Sequence, residues 1–162
     1  METWIASLDI KFFGQLILAV FLGALIGLER SLAHKKAGMR TFAFVALGSA
    51  LFSIISVNAA SGFDPTRIAA QIVSGVGFIG AGIIIFSRSQ LRGVTTAASL
   101  WMSAAIGMAV GFEFYSAAVF TTFLALIVLT IFWLIEKTFI KKLAFKSSLD
   151  DSEENENSIK VE

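Results

Sequence analysis

The chain has 162 residues, of which 56% are hydrophobic and 15% are charged, and its mean hydropathy is +0.80. That composition exceeds what a soluble domain of this size could keep in solution. The absence of cysteine and the presence of a single histidine, His34, exclude disulfides, thiol catalysis and a multi-histidine metal site within one subunit. The formal net charge of +1 says nothing about partners, because the charges are segregated along the chain.

Five runs of 17 to 23 residues contain no charged residue. An apolar helix of about 20 residues crosses the hydrocarbon core of a bilayer, where no water is available to backbone N–H and C=O groups. The runs therefore predict an all-α integral membrane protein whose transmembrane domain covers residues 1–146. Its five transmembrane helices are expected at about 12–28, 41–62, 68–87, 94–111 and 114–135. Residues 147–162 are acidic and polar, which predicts a disordered tail.

Basic residues are concentrated in alternate loops between these helices. Lys and Arg are enriched on the cytoplasmic side of membrane proteins. The segments after the first, third and fifth helices hold ten of them, whereas the other side holds two, Lys11 and Arg67. The pattern predicts an N-terminus outside the cell and a C-terminus in the cytoplasm. The ten residues are Arg30, Lys35, Lys36, Arg40, Arg88, Arg92, Lys137, Lys141, Lys142 and Lys146.

Small residues recur along the first, third and fourth predicted helices. Helix backbones in a membrane approach closely where side chains are absent. We therefore expect helices one, three and four to pack at the centre, and helix five, which has no glycine, to face lipid or a partner. The alternative is that the glycines line a cavity or a substrate path. The helix-packing candidates are Gly23, Gly27, Gly75, Gly77, Gly80, Gly82, Gly107 and Gly111.

Two carboxylates at the outer edge of the membrane are candidate metal ligands. Asp64 precedes Pro65 at the start of the third helix, which is typical of a helix N-cap, and cation binding is the alternative role. Glu113 follows the fourth helix. One turn beyond Arg67, Gln71 carries a polar amide into the bilayer and needs a partner. Asn58 is a candidate for that partner.

A second group of polar residues is expected at the cytoplasmic ends of the helices. If these ends converge, they form an electropositive pocket with one carboxylate, suited to an anionic group or a regulatory contact. The alternative is positive-inside anchoring together with an ion pair between Glu29 and an arginine. The residues are Glu29, Arg30, Arg40, Thr41, Arg88, Arg92, Thr95 and Thr96.

Three motifs in order resemble the MgtC/SapB family of bacterial membrane proteins. The first is Gly27–Arg30 followed by Ala37–Thr41, the second is Asp64–Gln71 running into Gly75–Gly82, and the third is Gly93–Ala98 with Trp101. The resemblance covers about residues 12 to 111. It implies a multi-pass, five-span protein of the bacterial inner membrane in the orientation that the charges predict.

The resemblance also implies a link to magnesium homeostasis and, in some members, to survival inside host cells. Members are often labelled as magnesium transporters, and a competing view holds that they restrain other membrane machines. Two features differ from better-known members. An acidic tail stands where those members have a cytosolic ACT-like domain, so the chain resembles a short form, and Glu113 is an unexpected carboxylate at the end of the fourth helix.

The positions of the carboxylates favour regulation over transport. Mg²⁺ prefers oxygen ligands and keeps several of its waters, so a self-sufficient transporter should place carboxylates within the membrane. The acidic candidates Glu29, Asp64 and Glu113 lie at its edges, and five helices do not divide into two repeats. We therefore expect a regulator of other membrane proteins. The alternative is a direct transporter or channel for Mg²⁺ or another cation, as an oligomer with a pore lined by backbone carbonyls.

No enzymatic activity is expected, because the chain offers no nucleophile–base pair. No cofactor is expected, and Mg²⁺ is the one ion considered. The expected partners are the lipid bilayer and either further copies of the chain or another membrane protein, with no nucleic acid.

Overall fold

The structure is a computed structural model that describes residues 2–59, 64, 67–87 and 90–139. Its helices are α1 (Glu2–Leu32), α2 (Met39–Ala59), α3 (Arg67–Ile83), α4 (Val94–Gly111) and α5 (Tyr115–Ile127). A π-helical segment follows at Val128–Phe132, and residues 133–139 are again α-helical. Two short strands, β1 (Ile85–Ser87) and β2 (Gln90–Arg92), pair antiparallel between α3 and α4. The predicted disordered tail, 147–162, lies outside the described residues.

Among the described residues, four helical segments are long and apolar enough to cross a membrane, namely Ile10–Leu32, Met39–Asn58, Val94–Gly111 and Tyr115–Phe139. The remaining helix, α3, is apolar but has 17 residues. At 1.5 Å per residue it is about 26 Å long, somewhat less than a hydrocarbon core of about 30 Å. The helical membrane-protein class expected from the sequence is thus confirmed. The number of five crossings and the orientation stay predictions.

The third predicted helix, 68–87, is shorter in the structure than in the sequence interpretation. It ends at Ile83, and Ile85, Phe86 and Ser87 pair with β2 as a hairpin. The run of isoleucines at this point has a strong strand propensity, which competes with the helix. Gly93 then begins α4 with a φ of +93°, a conformation that glycine adopts without steric cost.

The chain divides into two compact units, residues 1–126 and residues 127–162. In the first unit, α1, α2 and α4 contact one another, and α3 packs against α2 and α4. The central helices are therefore α2 and α4, each of which contacts the other three. Phe42, Ala46 and Ala50 of α2 and Leu100 and Val110 of α4 are fully buried. The expectation that helices one, three and four form the centre is thus right for α4 and wrong in leaving out α2. The buried positions of α5 in this unit are Ala118 and Thr122, and its other side chains are more accessible.

The described part of the second unit, residues 127–139, is helical throughout apart from the change between π- and α-helical turns. Within it, Lys137 Nζ lies 4.7 Å from the centroid of the Trp133 ring, a cation–π contact.

Candidate functional site

Polar contacts join α1 to the end of α4. Lys11 Nζ lies 2.7 Å from Glu113 Oε1, and both side chains are about half exposed. One helical turn further along α1, the side chain of Gln15 is buried, and its Nε2 donates to the carbonyl oxygens of Val110 at 3.1 Å and Gly111 at 3.4 Å. The last carbonyls of a helix have no partner within it. Gln15 therefore caps α4 from a neighbouring helix, and we name this region the Glu113 end of the bundle.

Glu113 owes its position to the way α4 ends. Its φ is +68°, its N–H donates to Val110 O at 3.0 Å, and the N–H of Phe114 donates to Ala109 O at 2.8 Å. These two bonds and the left-handed residue define a Schellman motif, in which glycine usually takes the place of Glu113. The unexpected carboxylate noted in the sequence is thus held in a helix-ending turn, from which it reaches Lys11.

Asp64, the other predicted metal ligand, is exposed and lies before α3. Its carbonyl oxygen accepts from the N–H of Arg67 at 3.4 Å, as the residue before a helix does. Within the described ranges, no group of three or more His, Cys, Asp or Glu side chains could hold a metal ion. The two carboxylates therefore do not belong to a larger acidic cluster in the part of the chain that the structure describes.

At the opposite end of the bundle, the Arg30 end, Arg30 is 3% exposed and forms an ion pair with Glu29. Arg30 Nη2 lies 2.6 Å from Glu29 Oε1, and Arg30 Nε donates to the other carboxylate oxygen. A planar guanidinium matches a carboxylate in this two-point geometry. The pair neutralises both charges at a place where an isolated buried charge would be strongly unfavourable.

The other residues of the expected electropositive pocket differ in burial, and Arg88 lies outside the described residues. Thr96 is buried at the start of α4, whereas Arg40, Thr41, Arg92 and Thr95 are exposed. Among the described residues, no hydrogen bond or ion pair joins Arg40, Thr41 or Thr95 to the Glu29–Arg30 pair. The arrangement observed at this end is a buried ion pair with exposed polar residues on nearby helix ends.

The turn from α1 to α2 contains two functional positions that sequence reasoning missed, Ser31 and Gly38. Ser31 Oγ donates to Gly27 O at 3.0 Å and accepts from the N–H of Met39 at 3.1 Å, so it caps the start of α2. Gly38 lies against Ser31 Oγ, and a Cβ atom at this position would displace that hydroxyl from its capping position. The signal is present in the Ala37–Thr41 motif, but nothing in the sequence connects that motif with Ser31, the second-last residue of α1.

The glycines of α1 and α4 contact α2 closely. A Cβ atom at Gly23 would lie 2.7 Å from Ala46 Cβ, and one at Gly27 would lie 2.5 Å from Met39 Cα. At Gly111 it would lie 2.6 Å from Ser53 Cβ, and at Gly107 it would overlap the carbonyl oxygen of Ala46. Ser103, one turn before Gly107, donates to Phe42 O at 3.0 Å. These positions allow three helix backbones to approach one another.

The glycines of α3 differ from those of α1 and α4. A Cβ atom at Gly75, Gly77 or Gly82 would meet no atom within 4 Å in the part of the chain described here. At Gly80 it would make an ordinary contact of 3.6 Å with Ala97 Cβ. Three of the four α3 glycines expected to pack helices therefore do not pack against another helix that the structure describes.

Gln71 lies on this exposed side of α3 and lines an apolar groove of about 510 Å³ between α2 and α3. The expected pairing with Asn58 is not formed, because Asn58 Nδ2 donates to Ile54 O in its own helix at 2.7 Å. Gln71 makes no hydrogen bond to any described residue. The groove thus combines apolar walls with one amide that is hydrogen-bonded to none of the described residues.

The fold and these contacts define a helical membrane protein whose core is built from closely approaching glycine-bearing helices. Residues 16–138 match the MgtC family, and the chain belongs to that family. The resemblance seen in the sequence motifs is thereby confirmed.

Three relatives illustrate the similarity. YhiD of Escherichia coli (strain K12), named as a candidate magnesium transporter, is 43% identical over 130 residues, which cover 75% of this chain and 60% of YhiD. Protein MgtC of Brucella abortus (strain 2308) is 50% identical over 107 residues, 65% of this chain and 45% of the relative. An uncharacterized protein of Haemophilus influenzae is 36% identical over 156 residues, 87% of this chain and 66% of the relative. The chain therefore spans 45 to 66% of the length of these relatives. No solved structure matches the chain.

Proposed function

We propose that this protein is a multi-pass protein of the bacterial inner membrane that regulates other membrane proteins in magnesium homeostasis. Membership of the MgtC family and the magnesium-related name of YhiD support the link to magnesium. The exposed Arg40 and Arg92, together with the end of α1, support a cytoplasmic location for the Arg30 end, because basic residues are enriched on that side.

The observation that carries the regulatory role is the pairing of the two carboxylates at the bundle ends. Glu113 is engaged by Lys11, and Glu29 is engaged by Arg30. A carboxylate in an ion pair must lose its partner before it can bind Mg²⁺, which itself gives up water reluctantly. Between these ends, Gly23 and Gly107 hold α1 and α4 against α2, which supports a closed subunit core.

Hydroxyl groups in that core also have structural partners. The fully buried Ser53 and Ser103 donate to the carbonyl oxygens of Ser49 and Phe42. These bonds use the hydroxyl protons that a nucleophile would have to give to a base. They support our proposal that the protein is not an enzyme.

Magnesium flux through purified protein in liposomes tests the proposal. For a regulator, liposomes containing the protein stay as tight to Mg²⁺ as empty ones, while deletion of the gene changes the cellular magnesium content and the intact gene restores it. Flux above that of empty liposomes, sensitive to Glu113→Gln, would instead establish a transporter. Gly77→Ala is the matched control, because a methyl group there meets no described atom within 4 Å.

Direct cation transport is the second candidate. The exposed glycines of α3 favour it, because Gly75 and Gly82 have no side chain to keep the backbone of a neighbouring subunit away. Backbone carbonyls can coordinate a cation when several subunits surround a pore. A flux that appears only in oligomeric fractions of the purified protein would support this candidate.

A further inference from the structure

We propose that the groove between α2 and α3 is an interface between two copies of this chain, in which Gln71 of one copy is hydrogen-bonded to Gln71 of the other. The dimer does not depend on whether the protein regulates or transports. Its evidence is the shape of the groove, the depth of Gln71 and the chemistry of the glutamine amide.

The bottom of the groove is formed in part by glycines, and it lies between large apolar side chains. Gly48 of α2 and Gly75 of α3 both line it, and a Cβ atom at either position would meet no described atom within 4 Å. Phe44 and Phe52 stand on the α2 side and are largely exposed. A second helix can therefore bring its own backbone close to α3 here, which is the usual geometry of small-residue contacts in membranes.

The exposed surface of α3 continues this face. Phe78 is 84% exposed, although it belongs to a helix that packs on its other side through Ala69, Ile72 and Val76. At 100° per residue, Gln71, Gly75, Phe78 and Gly82 share one side of α3 opposite the packed side. Gly77 lies about 200° around the helix from Gly75 and does not line the groove.

The sequence predicts that α3 crosses the membrane, and on that prediction Gln71 lies inside the apolar layer. It is one turn into α3, about 6 Å from the first residue of the helix. Because α3 is itself shorter than a hydrocarbon core, a group one turn inside it has little access to water. An amide without a partner at this depth is unfavourable, because hydrocarbon offers no hydrogen bond.

The chemistry of the amide selects a second copy as the occupant. A lipid acyl chain would fill the groove but leave Gln71 without a hydrogen bond. A glutamine side chain contains both a donor and an acceptor, so two of them related by a two-fold axis exchange two hydrogen bonds. Copies inserted in the same direction are related by an axis along the membrane normal, which brings Gln71 to the same depth in both. Gly75 of one copy then lies opposite Gly75 of the other copy, one helical turn from the two glutamines.

Oxidative crosslinking in native membranes tests this arrangement, and the cysteine-free chain makes single-cysteine variants unambiguous. We expect Gly75→Cys to form a covalent dimer and Gly77→Cys, its matched control on the same helix, to stay monomeric. Both positions have open space, so both variants are expected to fold. Crosslinking through Gly77→Cys with none through Gly75→Cys would overturn the proposal, as would a disulfide to a different membrane protein.

Single-molecule photobleaching of fluorescently tagged protein in lipid nanodiscs gives a second measurement that needs no cysteine. We expect two-step bleaching for the natural sequence, and an association roughly tenfold weaker for Gln71→Leu, because the reciprocal hydrogen bonds are lost. One-step bleaching of the natural sequence would overturn the dimer. A monomer that retains phospholipid in the groove would identify an acyl chain as the occupant and overturn it equally.

Discussion

Gly107 of α4 lies directly against the carbonyl oxygen of Ala46 in α2, and no side chain separates the two backbones. The same alanine faces Gly23 of α1, where a Cβ atom would lie 2.7 Å from Ala46 Cβ. Ala46 is fully buried by these neighbours. Ala46 of α2 thus contacts one glycine of α1 and one of α4. The backbones of these three helices approach closely at this level of the bundle.

The first prediction concerns this contact. Gly107→Ala should destabilise the protein by about 2 kcal/mol, because the added methyl group overlaps a backbone atom that can move only with its helix. Gly77→Ala is the control, with open space at its Cβ position and an expected gain of up to about 1 kcal/mol from helix propensity. Unfolding in mixed micelles of increasing SDS content measures both. Equal stability of the two variants would contradict the close contact.

The second prediction compares two glutamines. Gln15→Leu should destabilise the folded monomer by about 1–3 kcal/mol, because it removes the donor that the carbonyls of Val110 and Gly111 share. Gln71→Leu should leave the monomer unchanged, because Gln71 bonds to no described residue of its own chain. Both substitutions replace the same amide with the same apolar side chain. Unfolding at high detergent-to-protein ratios isolates the monomer, and a larger loss for Gln71→Leu would refute the assignment of Gln15 as a cap.

The third prediction concerns the buried ion pair. Arg30→Leu should destabilise the protein by about 3 kcal/mol, because Glu29 is left without its partner in a mostly buried position. Adding Glu29→Gln to that variant should recover part of the loss, since the unpaired charge disappears. A double-mutant cycle of the two unfolding free energies measures the coupling. Additive losses would mean that the two side chains do not stabilise each other.

The fourth prediction uses the end of α1. His34 has a φ of +54°, its N–H donates to Ser31 O at 3.0 Å, and the N–H of Lys35 donates to Arg30 O at 2.9 Å. This is a second Schellman motif with a residue other than glycine in the left-handed position. His34→Gly should therefore stabilise the protein by about 1 kcal/mol. Ala33→Gly, one residue earlier and outside the left-handed region, should give no such gain in the same unfolding measurement.

Several features of the fold could be predicted from the sequence. The fourth helix was expected at 94–111 and is observed at Val94–Gly111, because Gly93 before it and Glu113 after it mark its ends. The third helix was extended too far, since an uncharged run shows that a segment is apolar without showing whether it is helix or strand. The backbone of Ile85–Ser87 pairs with β2 in an antiparallel hairpin instead of continuing the helix.

The candidate site was predictable in its residue types and only partly in its contacts. Glu29 forms an ion pair with Arg30, which is one of the two arrangements predicted from the sequence for that end of the bundle. The partner of Glu113 is Lys11, which is 102 positions away and becomes a neighbour only when α1 and α4 pack. Asn58 was a reasonable partner for Gln71 by proximity in the chain. The Asn58 amide instead donates to the carbonyl oxygen of Ile54 in its own helix.

The amino-acid sequence by itself determined the solvent in which this protein folds, because whether a segment can leave water depends on the charges it carries. It also determined where glycines permit helices to approach. Only the tertiary structure decided which of those glycines have another helix packed against them. Gly107 and Gly75 look alike in the sequence, yet α2 occupies the space beside Gly107, whereas no described residue occupies the space beside Gly75. A glycine removes a steric barrier, and the helix that lies opposite determines whether a contact forms there.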